Sequence, residues 1–121
     1  MGYHAEANGK CSVAIGDNSN AKQSCSFAMG DHVKADADSS VAFGYTSEAT
    51  GKYSFVSGVN NKSLGTGALT FGSNNENDGY YSYCGGYRNT CAGGEGCYIN
   101  GVHNYLYGGE YYLWDEYELK W

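Results

Sequence analysis

Two pairs of neighbouring carboxylates are the residues of this sequence best suited to acid–base chemistry. Asp36 and Asp38 lie two positions apart, and Asp115 and Glu116 are adjacent. Glycoside hydrolases use two carboxyl groups about 5–9.5 Å apart, one of which protonates the leaving group. We interpret both pairs instead as acidic residues on solvated turns, so the sequence predicts no catalytic residue and no enzymatic activity.

Histidine and cysteine spacings give neither a metal site nor a nucleophile. The histidines are far apart and show no HxxxH spacing; they are His4, His32 and His103. The five cysteines contain no CxxC pair; they are Cys11, Cys25, Cys84, Cys91 and Cys97. Cys91 or Cys97 with His103 would make a nucleophile pair, but both cysteines lie in or beside a repeated segment. We expect no metal and no cofactor, and we favour free buried thiols over disulfides.

Length and composition indicate a single acidic, glycine-rich domain. The chain has 121 residues, of which 19 are glycine and 13 are tyrosine, with no proline. The formal net charge of −6 would repel a phosphate backbone, which argues against nucleic-acid binding. No apolar run approaches the ~20 residues of a membrane-spanning helix, and the first residues lack a hydrophobic signal core. We therefore expect neither membrane insertion nor an export signal in this stretch.

A fourteen-residue repeat organises most of the chain. The segments SVAIG, SFAMG and SVAFG begin at Ser12, Ser26 and Ser40. At this spacing one column is glycine six times and asparagine at the seventh place: Gly16, Gly30, Gly44, Gly58, Gly72, Gly86 and Asn100. Two columns hold mostly small residues: Ser12, Ser26, Ser40, Ser54, Ala68, Ser82 and Gly96, and Ala7, Ala21, Ala35, Ala49, Ser63, Asn77 and Cys91. A fourth is apolar or aromatic: Val13, Phe27, Val41, Phe55, Leu69, Tyr83 and Cys97. Six glycines in register establish an internal repeat.

Within each unit, small and large residues alternate before the glycine, which is typical of a short strand with two distinct faces. We expect the glycine to end the strand and turn the chain, and the polar residues after it to form a second, more exposed strand. The repeat thus predicts an all-β parallel solenoid of about seven coils, roughly 30 Å long at ~4.8 Å per coil. Antiparallel hairpins or a low-complexity linker are the alternatives. One thin coil would leave an apolar strip in water, so we expect oligomerisation about the rod axis.

The units SVAIG, SFAMG and SVAFG, with alanine in the intervening half-repeat, resemble the head repeats of trimeric autotransporter adhesins, the YadA-like head, and related repeats of phage tail fibres. The resemblance covers roughly residues 5–100 and weakens at SFVSG, ALTFG and SYCGG. It implies a left-handed parallel β-roll, three copies of which form a homotrimeric head that attaches to host surfaces. Cysteines are unusual in an exported head, and no neck, stalk or anchor follows the repeat. Both departures favour a phage tail fibre assembled in a reducing cytoplasm.

The repeat ends at Asn100, which divides the chain into a roll, residues 1–100, and an aromatic segment, residues 101–121. The aromatic residues of this segment are Tyr105, Tyr107, Tyr111, Tyr112, Trp114, Tyr117 and Trp121. One interpretation is a cap that covers the open end of the solenoid. The alternative is a carbohydrate site at the fibre tip, where Asp115, Glu116 and Glu118 accept hydrogen bonds from hydroxyl groups. The rings expected to stack on sugars there are those of Tyr105, Tyr107, Tyr111, Tyr112, Trp114 and Trp121.

Together these features predict a non-catalytic adhesion module, the homotrimeric β-roll head of a phage tail fibre or of a bacterial surface adhesin. Its expected partners are two further copies of the chain and a host surface glycan or protein receptor. The expected location is the virion tail fibre, with the bacterial cell surface as the alternative. A purely structural spacer and a glycan depolymerase at the tip are alternative functions.

Overall fold

The fold is a regular coil of short strands. The computed structural model describes residues 2–106 and 112–113. The strands are β1 (Glu6–Ala7), β2 (Val13–Asp17), β3 (Asn20–Ala21), β4 (Phe27–Asp31), β5 (Lys34–Ala35), β6 (Val41–Tyr45), β7 (Glu48–Ala49), β8 (Phe55–Val59), β9 (Lys62–Ser63), β10 (Leu69–Ser73), β11 (Glu76–Asn77), β12 (Tyr83–Tyr87), β13 (Thr90–Cys91), β14 (Tyr98–Val102), β15 (Tyr105–Leu106) and β16 (Tyr112–Leu113). Two-residue and five-residue strands alternate from β1 to β14, and each such pair is one coil, so there are seven complete coils.

The strands form two parallel sheets. The short strands β1 to β15 make one eight-stranded sheet, and the long strands together with β16 make the other. Each strand pairs with its equivalent in the next coil, as Val13 pairs with Phe27 and Gly16 with Gly30. The all-β class and the parallel solenoid of fourteen-residue coils are therefore confirmed. Among the described residues no helix is long and apolar enough to cross a bilayer.

The register changes by one residue in the seventh coil. Cys91 still pairs with Asn77, fourteen residues earlier, but Tyr98 pairs with Tyr83 and Gly101 with Gly86, fifteen residues earlier. The sequence alignment that placed Asn100 in the glycine column and Cys97 in the apolar column is wrong, because the turn after Cys91 holds an extra residue. The roll also continues without a break past residue 100: β14 spans that position and β15 pairs with β13. Of the predicted cap, residues 107–111 and 114–121 lie outside the described residues.

Small residues fill the interior between the two sheets. Ala14, Ala28 and Ala42 of the long strands pack with alanines of the short strands, and each is at most 4% exposed. The larger residues on either side of these alanines point outward. Val13 and Met29 are 39% and 41% exposed, respectively. The bulky face that the alternation predicts is therefore the outer face of one chain.

The repeated glycine is required because successive coils approach each other backbone to backbone. The six glycines from Gly16 to Gly86 have φ between 106° and 140°, a region that L side chains rarely adopt. A Cβ at Gly44 would overlap the carbonyl oxygen of Gly58 in the next coil, and the same holds along the column. Each glycine is the fourth residue of its five-residue strand. The expectation that it ends the strand is wrong, since the strand continues for one residue beyond it.

An asparagine ladder, formed by Asn61, Asn75, Asn89 and Asn104, runs through the later coils. The Oδ1 atom of each of the first three accepts a hydrogen bond from the backbone amide of the next, at 2.8–2.9 Å. The Nδ2 atom of Asn75 donates to the carbonyl oxygens of Phe71 and Gly86. All four asparagines are buried. The ladder satisfies backbone groups that would otherwise be buried without partners.

The cysteines depart from the expectation of free buried thiols. Cys91 and Cys97 form a disulfide, Cys11 and Cys25 are free but exposed, and Cys84 is free and buried. The disulfide forms because two columns of the repeat face each other inside every coil. In coil 6, for example, the Nδ2 atom of Asn77 donates to the carbonyl oxygen of Ser82. Cys91 and Cys97 occupy this same pair of places in coil 7, where the fifteen-residue spacing puts Cys97 opposite Cys91.

Candidate functional site

The aromatic residues predicted for a tip site lie at or beyond the end of the described chain. Tyr105 is in β15, and 62% of it is exposed. Tyr112 belongs to β16 by its backbone. The remaining predicted contacts lie outside the described residues; they are Tyr107, Tyr111, Trp114 and Trp121. A carbohydrate site at the tip therefore remains a prediction.

A ladder of aromatic rings covers the outer face of the long-strand sheet. The rings belong to Phe27, Phe43, Phe55, Phe71, Tyr83 and Tyr98, and we call this set the ring ladder. Neighbouring ring centroids are 5.0–5.9 Å apart, within the range of favourable aromatic contacts. The rings of coils 2 to 6 alternate between the first and third positions of the strand. The ladder therefore forms one continuous apolar strip along coils 2 to 7.

The ring ladder is only partly covered within one chain. All six rings are partly exposed, and Val13, Met29 and Leu69 beside them are about 40% exposed. Burial raises the pKa of the Tyr83 phenol, and the nearby Tyr98 and Cys84 raise it further. One end of the strip is thus already partly dehydrated. A contiguous apolar surface of this kind is typical of an interface with another protein surface.

The turn between the short and the long strand of each coil builds a ridge along one edge of the roll. We call it the tyrosine ridge. Equivalent residues at its crest have φ of 52–68°; they are Cys11, Cys25, Ser39, Tyr53, Gly67 and Tyr81. Tyr53 is 65% exposed, Tyr80 is 53% exposed and Tyr81 is 72% exposed. The ridge therefore presents thiols at its N-terminal end and phenol rings farther along.

The turns between coils form a second ridge, on the opposite edge of the long strands. Its crest residues also have positive φ, of 51–59°; they are His4, Asn18, His32, Thr46, Asn60, Asn74, Arg88 and His103. The His32 ring contacts the Asp31 carboxylate, and the Arg88 guanidinium lies 5.1 Å from the Tyr87 ring centroid. Within residues 2–106 and 112–113, no three acidic, histidine or cysteine side chains are grouped so as to hold a metal ion.

An open concavity of about 270 Å³ adjoins the tyrosine ridge in coils 2 to 4. Its lining residues are Gln23, Asp36, Ala37, Asp38, Thr50 and Lys52. The carboxylate pair Asp36 and Asp38, interpreted from sequence as solvated turn residues, thus lines a recess together with an amide, a hydroxyl and an ammonium group. The Oδ1 atom of Asp36 is buried and accepts no hydrogen bond from the described residues. No local sequence motif marks this recess, because its lining comes from three different coils.

The cysteine–histidine pair considered from the sequence is excluded. The sulfur atoms of Cys91 and Cys97 are bonded to each other, so neither is a free nucleophile for His103. The buried Cys84 is not an activated thiol either, because burial raises its pKa to about 12.

Comparison with known proteins agrees with the architecture. The family model of the YadA head domain repeat matches residues 1–19, 7–32 and 35–61, just under half of the chain. The matched residues span coils 1 to 4 of the roll. No curated protein matches the sequence. The family is of the adhesin type and non-enzymatic, which suggests an extracellular, surface-exposed protein. The chain therefore carries YadA-like head repeats.

Proposed function

We propose that this chain is a non-catalytic attachment module, which works as a homotrimeric left-handed β-roll and binds a host cell surface. The observation that carries the proposal is the ring ladder on a roll of YadA-like head repeats. One chain leaves this ladder partly in water, and its thin interior of alanine and serine offers no place to bury it. Covering the strip with identical copies removes apolar surface from water, which stabilises the assembly by about 25 cal/mol for each Å² buried.

The spacing of the ring ladder suits an interface between identical chains. The ladder repeats once per coil, so a second roll set side by side with the first presents rings at the same intervals. In a cyclic trimer each chain uses two different surfaces, and such a heterologous contact gives a closed ring when the rotation between copies closes. The trimeric state and the left-handedness of the β-roll are taken from the resemblance to adhesin heads. The proposed partners are two further copies of the chain and a host surface glycan or protein receptor.

The disulfide changes which location we propose. Disulfides form and persist in oxidising surroundings, such as the outside of cells, and are rare in the cytosol. Cysteines in an exported head are one of the two departures that favour a phage tail fibre, and the Cys91–Cys97 bond removes that one. We therefore place the module on a bacterial surface, with the virion tail fibre as the second candidate.

Attachment is tested directly by coating beads with the intact protein and counting the host cells that they capture. The proposal expects capture that saturates with cell number and that soluble intact protein inhibits. Beads that capture no cells from any host type contradict attachment and leave the role of a structural spacer. Release of soluble sugar from the captured cells would instead support a depolymerase and contradict the non-catalytic function.

A further inference from the structure

We infer that the side of the roll carries a binding site for a neutral oligosaccharide, centred on the concavity in coils 2 to 4 and on Tyr53 beside it. This inference rests on the proposed attachment function and names the chemical class of the receptor. The site lies along the tyrosine ridge, away from the aromatic segment at the C-terminus. Sugar rings would stack on Tyr53 and Tyr81, and sugar hydroxyls would bond to the polar groups of the concavity.

The concavity offers both kinds of hydrogen-bonding group that a polyol needs. Asp36 and Asp38 supply acceptors, Lys52 supplies donors, and Gln23 and Thr50 supply both. Ligand sites typically combine a recess with a few convergent polar groups. The buried Oδ1 atom of Asp36 accepts no hydrogen bond from the described residues, so turning this side chain into the recess would let it accept one from a bound hydroxyl.

The same mixture of charges disfavours simple ions. Lys52 opposes a metal cation in the recess, and the carboxylates of Asp36 and Asp38 oppose a phosphate or another anion. The net charge of −6 likewise disfavours a polyanionic chain along the ridge. A neutral ligand with many hydroxyl groups fits all of these constraints.

Tyr53 is joined to the concavity through the backbone. Its amide nitrogen donates to the carbonyl oxygen of Asp38 at 3.0 Å, which fixes the tyrosine directly beside the recess. Its side chain is 65% exposed. A phenol ring with a free face next to hydrogen-bonding groups is a common arrangement at recognition surfaces.

The coil imposes a left-handed backbone at the crest of the tyrosine ridge, and Tyr53 and Tyr81 adopt it with φ of 60° and 52°. A bulky residue in this region is unusual. Glycine occupies the equivalent place at Gly67, and serine does so at Ser39, so the coil does not require a ring there. Folding therefore gives no reason for the bulky rings at these two places, and ligand contact supplies one.

Gly67 makes room for the Tyr81 ring. A Cβ at Gly67 would lie 2.6 Å from Cδ1 of Tyr81, so the absence of a side chain lets the Tyr81 ring lie over the backbone of coil 5. The ring of Tyr81 is thereby drawn towards Tyr53 in coil 4, although the backbones of the two tyrosines are two coils apart, about 9.6 Å along the axis at ~4.8 Å per coil. The two rings are placed to contact neighbouring units of one linked sugar chain.

The test uses the intact chain and immobilised β-linked tetrasaccharides of glucose, galactose and N-acetylglucosamine. The first variant is Tyr53→Ser, which introduces the residue that coil 3 already has at the equivalent position, Ser39. The second is Asp38→Asn. The matched control is Tyr45→Ser on the second ridge, where the equivalent residue of coil 5 is Ser73 in β10. Circular dichroism checks that all variants keep the β-roll.

At least one tetrasaccharide is expected to bind the native protein and the Tyr45→Ser control equally well. Tyr53→Ser and Asp38→Asn are each expected to weaken that binding about fivefold or more, as for loss of an interface anchor. The inference is overturned if no tetrasaccharide binds, or if Tyr53→Ser and Tyr45→Ser reduce binding to the same extent.

Cell capture separates this inference from the proposed function. If native protein captures cells and Tyr53→Ser captures them equally well, the lateral sugar site is wrong and attachment stands. If native protein binds a tetrasaccharide through Tyr53 but captures no cells, the sugar site stands and the attachment function is contradicted.

Discussion

The backbone amide of Asn75 donates a hydrogen bond to the Oδ1 atom of Asn61, one coil earlier, at 2.9 Å. This contact repeats from Asn75 to Asn89 and from Asn89 to Asn104. The later coils are therefore held in register by buried side chains as well as by the strand ladders. The earlier coils have Ser19, Val33 and Ser47 at this position, so the ladder is a feature of the C-terminal half of the roll.

Replacing Asn75 by alanine tests the asparagine ladder. The variant leaves the Asn89 amide and the Phe71 carbonyl oxygen without the partner that Asn75 provides. Each orphaned buried group costs about 1–3 kcal/mol, so the free energy of unfolding should fall by about 3 kcal/mol. Urea denaturation followed by circular dichroism measures the change.

Asn74→Gly is the control for this prediction. Asn74 is the exposed neighbour of Asn75, and in the described residues its side chain hydrogen-bonds to the Ser73 hydroxyl. Its φ is 59°, a conformation that glycine adopts without strain, so the change should alter the free energy of unfolding by less than about 1 kcal/mol. Equal losses for Asn74→Gly and Asn75→Ala would show that the ladder does not stabilise the roll.

Gly44→Ala tests the close approach of the coils. The new methyl group would overlap the carbonyl oxygen of Gly58 and would sit at φ 110°, and neither the neighbouring backbone nor the strand can move without disturbing the next coil. We expect a loss of more than about 4 kcal/mol, or no folded protein. Ser57→Ala, on the strand that pairs with the Gly44 strand, is the control and should fold normally. A Gly44→Ala protein as stable as native would refute backbone-to-backbone packing at this column.

Thiol counting tests the cysteine arrangement. Three cysteines are free, of which Cys11 and Cys25 are exposed and Cys84 is buried. A soluble thiol reagent should therefore modify two thiols in the native protein and a third after unfolding without reductant. Cys97→Ser, which places in coil 7 the residue that coil 6 has at Ser82, should release Cys91 and raise the count in the unfolded protein by one. Five reactive thiols in the unfolded native chain would show that the disulfide is absent.

The Cys84 thiol makes stability depend on pH in the alkaline range. Burial raises the pKa of this thiol from 9.0 to about 12. The folded state favours the protonated thiol. The stability that this thiol contributes is therefore fully present below pH 9.0 and is lost as the pH rises towards about 12. Cys84→Val, which introduces the residue of coil 4 at Val56, should remove this dependence. Urea midpoints that fall in parallel for both proteins across that range would contradict the assignment to Cys84.

The repeat made the coil predictable because its constraints act at every turn. Two columns recur at the same spacing: a glycine that no side chain can replace, and alanines that fill a thin interior. These columns predict the parallel solenoid and its outward-facing large residues. The extra residue in coil 7 was missed because Asn100, a residue that tolerates positive φ, lies next to the true column member Gly101. The interval from Asn89 to Asn104 is fifteen residues, one more than the repeat, and this difference in the sequence indicates the extra residue.

The candidate sites were less accessible from sequence. The disulfide depends on which columns face each other across the interior, and linear spacing does not show this. The recess beside Tyr53 joins Gln23, Asp38 and Lys52 from three coils, so no local motif marks it. The strain of the ridge tyrosines also appears only in the backbone conformation, since the sequence shows serine, cysteine, glycine and tyrosine at equivalent places.

The molar mass of the intact chain in solution tests the central claim most directly. Light scattering should give three times the 13.0 kDa of one chain. The double variant Phe43→Ser and Phe71→Ser removes two rings from the ring ladder and replaces them with serine, the residue that coil 4 has at the equivalent place, Ser57. This variant should have a mass closer to that of one chain, while its circular dichroism spectrum keeps its β form. Tyr45→Ser should remain trimeric. A native chain that is monomeric at every concentration, or a ring-ladder variant that stays trimeric, would contradict assembly through this face.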